Sequence, residues 1–227
     1  MSLQTIVNNA SGITFNRRKM VGIQYTRNEI PRVSETPTTN PWRITLDMPA
    51  NLKYQSNRAL LEAIDALDRR LPATITFADN PNMNWIFRYQ GAAGVSQLNN
   101  MYVSAFVGNQ LTLQNIPVMN STNVLFAAND LIQIGNNPFP FTVVNTVLRG
   151  TGSTVTVTTH RPNMLTNAVT GLGITVGAAC SFRMFCPNMP TYRLVPGGAT
   201  YIGNQLVNNA YIEWTSSFEL YEFTGTA

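Results

Sequence analysis

VLFAANDLIQIGNNPFPFTVVNTVLRGTGSTVTVTTHRPN, residues 124–163, decides the fold class. Runs of Val, Ile, Phe and Thr near 131–134, 141–149 and 153–159 are cut by turn formers at Gly135–Pro138 and Gly150–Gly152. β-Branched and aromatic residues between such breakers read as short strands. Strands this short and this tightly turned predict a small β-barrel or meander.

The pattern extends in both directions. Residues 101–107 and 110–116 read as a strand pair turned at Gly108–Asn109. Downstream, 172–177, 179–185 and 190–195 continue the strands, and the PGG at 196–198 is a turn. In the closing AYIEWTSSFELYEF, Ile212, Trp214, Phe218, Leu220 and Phe223 are expected to point inward. Nearer the start, 3–7 and 12–25 read as extended pieces. RNEIPRVSETPTTN (27–40) reads as a loop or arm, because Pro31 and Pro37 cannot join a sheet interior. Trp42, Ile44, Leu46 and Met48 alternate with polar residues, the period of a strand with one buried face. Thr74–Ala78 and Trp85–Tyr89 are also expected to be strands.

One helix interrupts this run. In SNRALLEAIDALDRR (56–70), Leu60, Leu61, Ile64, Leu67 and Leu71 recur at helical spacing and form an apolar stripe. Ser56 is the expected N-cap, Arg69 and Arg70 suit the negative end of the helix dipole, and Pro72 stops the helix. Glu62, Asp65 and Asp68 line the other face, and a solvated face explains them better than a metal site.

The expected class is therefore mainly β (α+β): a β-sandwich or half-barrel body with one flanking helix, about 56–70, and an inserted small β-barrel. The body is assigned to 1–95 plus 170–227 and the insert to 96–169. The junctions are QGAAGVSQLNN and MLTNAVTGLG, both rich in Gly, Asn and small residues.

Composition narrows function. Only 11% of the 227 residues are charged, and 26 Asn and 26 Thr take their place. That excludes charge-driven disorder, coiled coils and long helical repeats. No run approaches the ~18 apolar residues of a membrane span, and the N-terminus lacks the apolar core of a secretory signal. The net charge of +4 comes from residues 1–70, where ten basic side chains face six acidic ones; residues 71–227 carry five of each. This excess, around Arg17, Arg18, Lys19, Arg27, Arg32 and Arg43, is too sparse for sequence-specific nucleic-acid binding. Arginines of this kind suit protein–protein contacts.

The residues show no positive sign of an enzyme. His160, the sole histidine, has no triad partners in sequence, and no GxSxG elbow exists. Cys180 and Cys186 make no disulfide framework or zinc site and read as half-buried strand thiols. Among the acids, Asp130, Glu213, Glu219 and Glu222 are the candidates for paired-carboxylate chemistry, but Glu219 and Glu222 are oddly spaced and cannot face the same way on a regular strand. GTGSTVT opens no helix and fails as a phosphate loop. No catalytic residue, cofactor or metal is expected. Low charge, abundant Asn and Thr, and open strand edges fit a chain that is buried between copies of itself.

Several segments carry a family likeness. LQTIVNNASGITFNRRKMVGIQYTRN (3–28) and NPWRITLDMPANLKYQSNRALLEAIDALDRR (40–70) resemble the N-terminal part of tail and baseplate structural proteins of tailed bacteriophages. LFAANDLIQIGNNPFPFTVVNTVLRGTGSTVTVTTHRP (125–162) resembles a block recurring in them: F-x-x-x-D-x-I-Q-I-G, a Phe-x-Val-Val strand, RGTGSTVTV and HRP. MPTYRLVPGG and FELYEF fit the same group. Asn129 stands where members usually carry Gly.

The resemblance implies a tail-tube-like β-fold with a flanking helix. It implies a homo-oligomer, a hexameric ring in the virion made in the host cytoplasm, similar to distal tube, tube-initiator or hub-proximal layers. Its implied partners are other tail proteins: tube, sheath, wedge or fibre. From the charge asymmetry, Arg17, Arg18, Lys19, Arg27 and Arg32 are the candidate contacts to Glu213, Glu219 and Glu222 of a neighbouring copy. The alternative is a glycan-binding host-adhesion module or other virion decoration protein, in which Trp85 or Trp214 stacks on a sugar. Core packing is the plainer reading of both tryptophans. A peptidoglycan hydrolase is a third option and would need a cleft with coupled acids.

Overall fold

The structure is a computed structural model that describes residues 3–17, 21–25, 31–35, 41–50, 52–66, 71–165, 167–208 and 210–224. In chain order it begins with α1 (Gln4–Asn9), β1 (Gly12–Asn16), β2 (Val21–Tyr25), β3 (Pro31–Glu35), β4 (Arg43–Asp47), β5 (Leu52–Lys53), α2 (Tyr54–Asp65) and β6 (Ala73–Thr76). There follow α3 (Val95–Leu98), β7 (Tyr102–Val107), β8 (Gln110–Gln114), β9 (Val124–Phe126), β10 (Leu131–Ile134), β11 (Phe141–Thr142), β12 (Val147–Leu148) and β13 (Thr154–Thr158). The chain closes with β14 (Ile174–Val176), a 3-10 turn at Gly177–Ala179, β15 (Ser181–Phe185), β16 (Tyr192–Val195), β17 (Ala199–Ile202), β18 (Gln205–Asn208), β19 (Tyr211–Trp214) and β20 (Phe218–Glu222). Strand occupies 37% and helix 14%, so the class is mainly β, as the sequence predicts.

Two compact units form. One comprises residues 1–16, 42–84 and 182–227; the other comprises 17–41 and 85–181. The first holds a five-stranded sheet in the order β1-β4-β20-β15-β6, a three-stranded sheet β16-β19-β5 and the hairpin β17–β18. Sequence-distant strands do pair: Leu46 lies opposite Phe218 and Ile44 opposite Leu220. Period two puts Trp42, Ile44, Leu46, Phe218 and Leu220 on one buried face. Phe15, Trp42, Phe182 and Phe77 close a cycle of edge-to-face rings with centroids 5.4–6.2 Å apart.

The second unit holds sheets β13-β8-β7, β11-β10-β14 and β12-β9, and the hairpin β2–β3. Val103, Leu111, Leu113, Ile132, Phe141 and Val157 are among its core residues. Gly108 makes the β7–β8 turn at φ 56°, as its position predicts. The expected small barrel is corrected here: among the described residues no sheet closes into a barrel. Isolated bridges at Tyr102–Gly173 and Val143–Thr159 join the short strands instead. The expected strand 141–149 is interrupted: Phe141–Thr142 and Val147–Leu148 are its regular parts, and Val143 makes an isolated bridge between them.

Other expectations are corrected as well. Residues 4–9 are helical where extended chain was expected, because a helix buries Leu3, Ile6 and Val7 together. Burial outweighs the modest strand preference of Ile and Val. With α3 added, α2 is not the sole helix. It begins at Tyr54 after an extended Lys53, and no side chain caps it, so Ser56 is not its cap. Its expected end at 67–70 lies outside the described residues. Leu71, 63% exposed, leaves the apolar stripe. The expected strand Trp85–Tyr89 is instead mostly turn. Within the expected arm, Pro31–Glu35 pairs with β2, and Pro31 takes the first position of a two-stranded sheet, which tolerates its missing N–H.

Candidate functional site

Within residues 125–162, buried Asp130, Gln133 and Arg161 act as polar pegs. Asn129 sits at φ 72°, a left-handed turn that Asn tolerates better than most residues. It presents Asp130, whose carboxylate accepts the N–H groups of Ala127 (2.8 Å) and Gln90 (3.0 Å). Burial raises the Asp130 pKa, against the opposing pull of those two N–H donors. Gln133 is buried, and its Oε1 accepts the Ser181 N–H at 2.6 Å and the Ser181 hydroxyl at 3.1 Å.

The HRP turn is built the same way. His160 Nδ1 accepts the Thr142 N–H at 2.9 Å. Burial, with Arg161 and Arg17 nearby, pushes its pKa down to about 3, so the ring is neutral at pH 7. Arg161, 1% exposed, donates to the Pro140 carbonyl at 3.1 Å and lies 5.2 Å from the Phe141 ring centre. Arg17 donates to Thr142 Oγ1, and to Asn129 Oδ1 at 2.6 Å. These side chains tie loops to strands. Among the described residues, no group of three His, Cys, Asp or Glu side chains comes together. Cys180 and Cys186 form no disulfide and are both buried, deeper than half-buried strand thiols, and burial pushes the Cys180 pKa up to about 12.

The candidate contact residues belong to both units. Arg17 is engaged within its own unit, as above. Arg18, Lys19 and Arg27 lie outside the described residues, and Arg32 sits on β3 opposite Gln24. Glu213 pairs with Arg193, directly opposite it across β16–β19, at 2.5 Å. Glu219 is exposed and accepts the Tyr221 hydroxyl at 2.8 Å. Glu222 faces the other way, 6% exposed, and accepts the Trp42 N–H at 2.9 Å. The odd spacing therefore separates Glu219 from Glu222. Trp214 packs between Tyr192 and Phe218 with centroids 5.3 and 5.0 Å away, while Trp85 is 66% exposed.

The open features are backbone edges and isolated apolar side chains. Hairpins β2–β3 and β17–β18 each form a two-stranded sheet, and among the described residues neither pairs with a third strand. Val118 (94% exposed) and Val107 stand on the surface of the second unit. Sequence reasoning missed two buried or edge amides. Asn80 donates to the Val7 and Ala10 carbonyls, and Gln4 bonds the backbone of Thr76. Nothing in local pattern marks either. Among the described residues no helix is long and apolar enough to cross a membrane. No protein-family model matches the chain, and no curated protein is significantly similar to it.

Proposed function

We propose that the chain is a virion structural protein of a bacteriophage tail or baseplate. In this reading, six copies form a ring that connects the tail tube to the baseplate, and the unit of residues 17–41 and 85–181 docks neighbouring tail proteins. The reading rests on the quoted sequence likeness and on one structural observation, the hairpins β2–β3 and β17–β18. A lone two-stranded hairpin is marginal in water. Strands added from adjacent copies complete such edges. In the ring, Glu219 and the basic residues Arg18, Lys19, Arg27 and Arg32 are the charged contacts; Arg17 and Glu222 serve their own units.

Mass measurement in solution followed by negative-stain imaging tests the ring. A ring of about six copies, the symmetry drawn from the family likeness, is the expected result, and closed cyclic rings are common among homo-oligomers. A monomer at every concentration overturns it. Glycan binding is favoured by exposed Trp85 alone; a glycan array without hits removes it.

A further inference from the structure

Among the described residues the five-stranded sheet ends at β6, and an edge strand offers unpaired N–H and C=O groups to any other strand. At Thr76 both groups are occupied by a side chain. Gln4 Nε2 donates to the Thr76 carbonyl at 2.7 Å, and Gln4 Oε1 accepts the Thr76 N–H at 2.8 Å. A primary amide carries the same donor and acceptor pair as a peptide bond. The Gln4 side chain thus makes the two bonds that a residue of a sixth strand would make. Its second N–H goes to Asn8 Oδ1 at 2.7 Å, one turn along α1, which fixes the orientation of the amide. Buried Ile6 and Val7 hold the helix that carries it.

We propose that Gln4 is an edge guard: it substitutes for a strand at Thr76 and prevents β6 from pairing with β6 of a second copy of this chain. The partner is a second copy because an identical edge meets itself antiparallel about a twofold axis, and every copy supplies one. In Ala73–Thr76, Thr74 is exposed and Ile75 buried, so pairing adds main-chain bonds without moving the core. The guard limits growth of the sheet at this edge. It stands whether or not the chain forms a tail ring.

The test compares wild type, Gln4→Ala and Gln4→Ala/Thr74→Lys by light scattering over a concentration series, with circular dichroism to monitor folding. Gln4→Ala is expected to stay folded on its apolar anchors and to double the mass found for wild type as concentration rises. The added lysine, facing its own copy across the twofold axis, restores the wild-type mass. A folded Gln4→Ala with the wild-type mass throughout overturns the proposal.

Amide exchange reads the same contact without self-association. In wild type the Thr76 amide is protected, and in Gln4→Glu, which keeps the acceptor but loses the donor, protection is partly retained. In Gln4→Ala exchange at Thr76 speeds up by about tenfold, the value of one hydrogen bond. A wild-type Thr76 amide that exchanges like an open one overturns the guard, whatever the variants do.

Discussion

Trp42 and Glu222 are bonded twice. The Trp42 N–H donates to Glu222 Oε2 and the Glu222 N–H donates to the Trp42 carbonyl, both at 2.9 Å. The pair continues the β4–β20 ladder one step beyond Arg43–Tyr221 and joins residues 180 positions apart in sequence. It fixes the register in which both strands turn their apolar residues inward. A slip of one residue would turn each of them to the other face.

Glu222→Ala leaves the Trp42 N–H without this acceptor in a buried place. Stability is expected to fall by about 1.5–3 kcal/mol, as for a lost hydrogen bond to a charged group. Glu222→Gln keeps an acceptor and loses less. Urea denaturation of both variants checks the order.

His160 makes stability depend on pH. Its folded pKa is lowered from 6.5 to about 3, so its contribution is full above 6.5 and is lost as pH falls toward 3. Through that window the unfolded chain binds the extra proton, and the slope approaches about 1.4 kcal/mol per pH unit. Asp130 acts in the opposite sense. Its raised pKa favours the folded state below the ordinary carboxylate value and loses that stability as pH rises through the folded pKa. His160→Asn keeps an acceptor near Thr142 and cannot titrate. The difference between wild-type and His160→Asn stability, measured from pH 7.5 to 4, is expected to shrink as pH falls. A constant difference refutes this.

Asn129 combines backbone and side-chain roles that substitution separates. Asn129→Gly relieves the left-handed backbone but loses the Arg17 bond; Asn129→Ala loses the bond and keeps the strain. Glycine is expected to be more stable than alanine here by about 1 kcal/mol. Thermal unfolding of the two variants side by side measures it.

Gly177 takes φ 77°, and an added Cβ would lie 3.0 Å from the Tyr89 nitrogen and 3.1 Å from the Phe87 carbonyl oxygen. Both are backbone atoms and cannot swing away. Gly177→Ala is expected to cost about 2 kcal/mol or more, from the left-handed conformation and the crowding together. A loss under 0.5 kcal/mol in denaturant titration refutes it.

Much of the candidate site was named from sequence without its geometry. Asp130, Arg161 and His160 belong to a quoted pattern, yet the pattern does not say that each bonds backbone of its own unit. Arg17 was read from charge as a contact to a neighbour. Burial and the acceptors Asn129 and Thr142 take it up within the chain. Gln4 carried no signal, since the value of its amide comes from a strand 72 positions away.

By itself the sequence determined what is local. The alternation of 42–48 and 218–222, the turn at Gly108–Asn109 and the existence of α2 follow from side-chain period and turn chemistry. Tertiary structure alone decided that 4–9 coils into a helix, that 141–149 breaks, that the short strands stay open and which edge is guarded. Those outcomes depend on which distant surfaces meet. A short segment accepts either helix or strand at a cost of about 1 kcal/mol or less per residue, so the burial it gains on contact chooses between them.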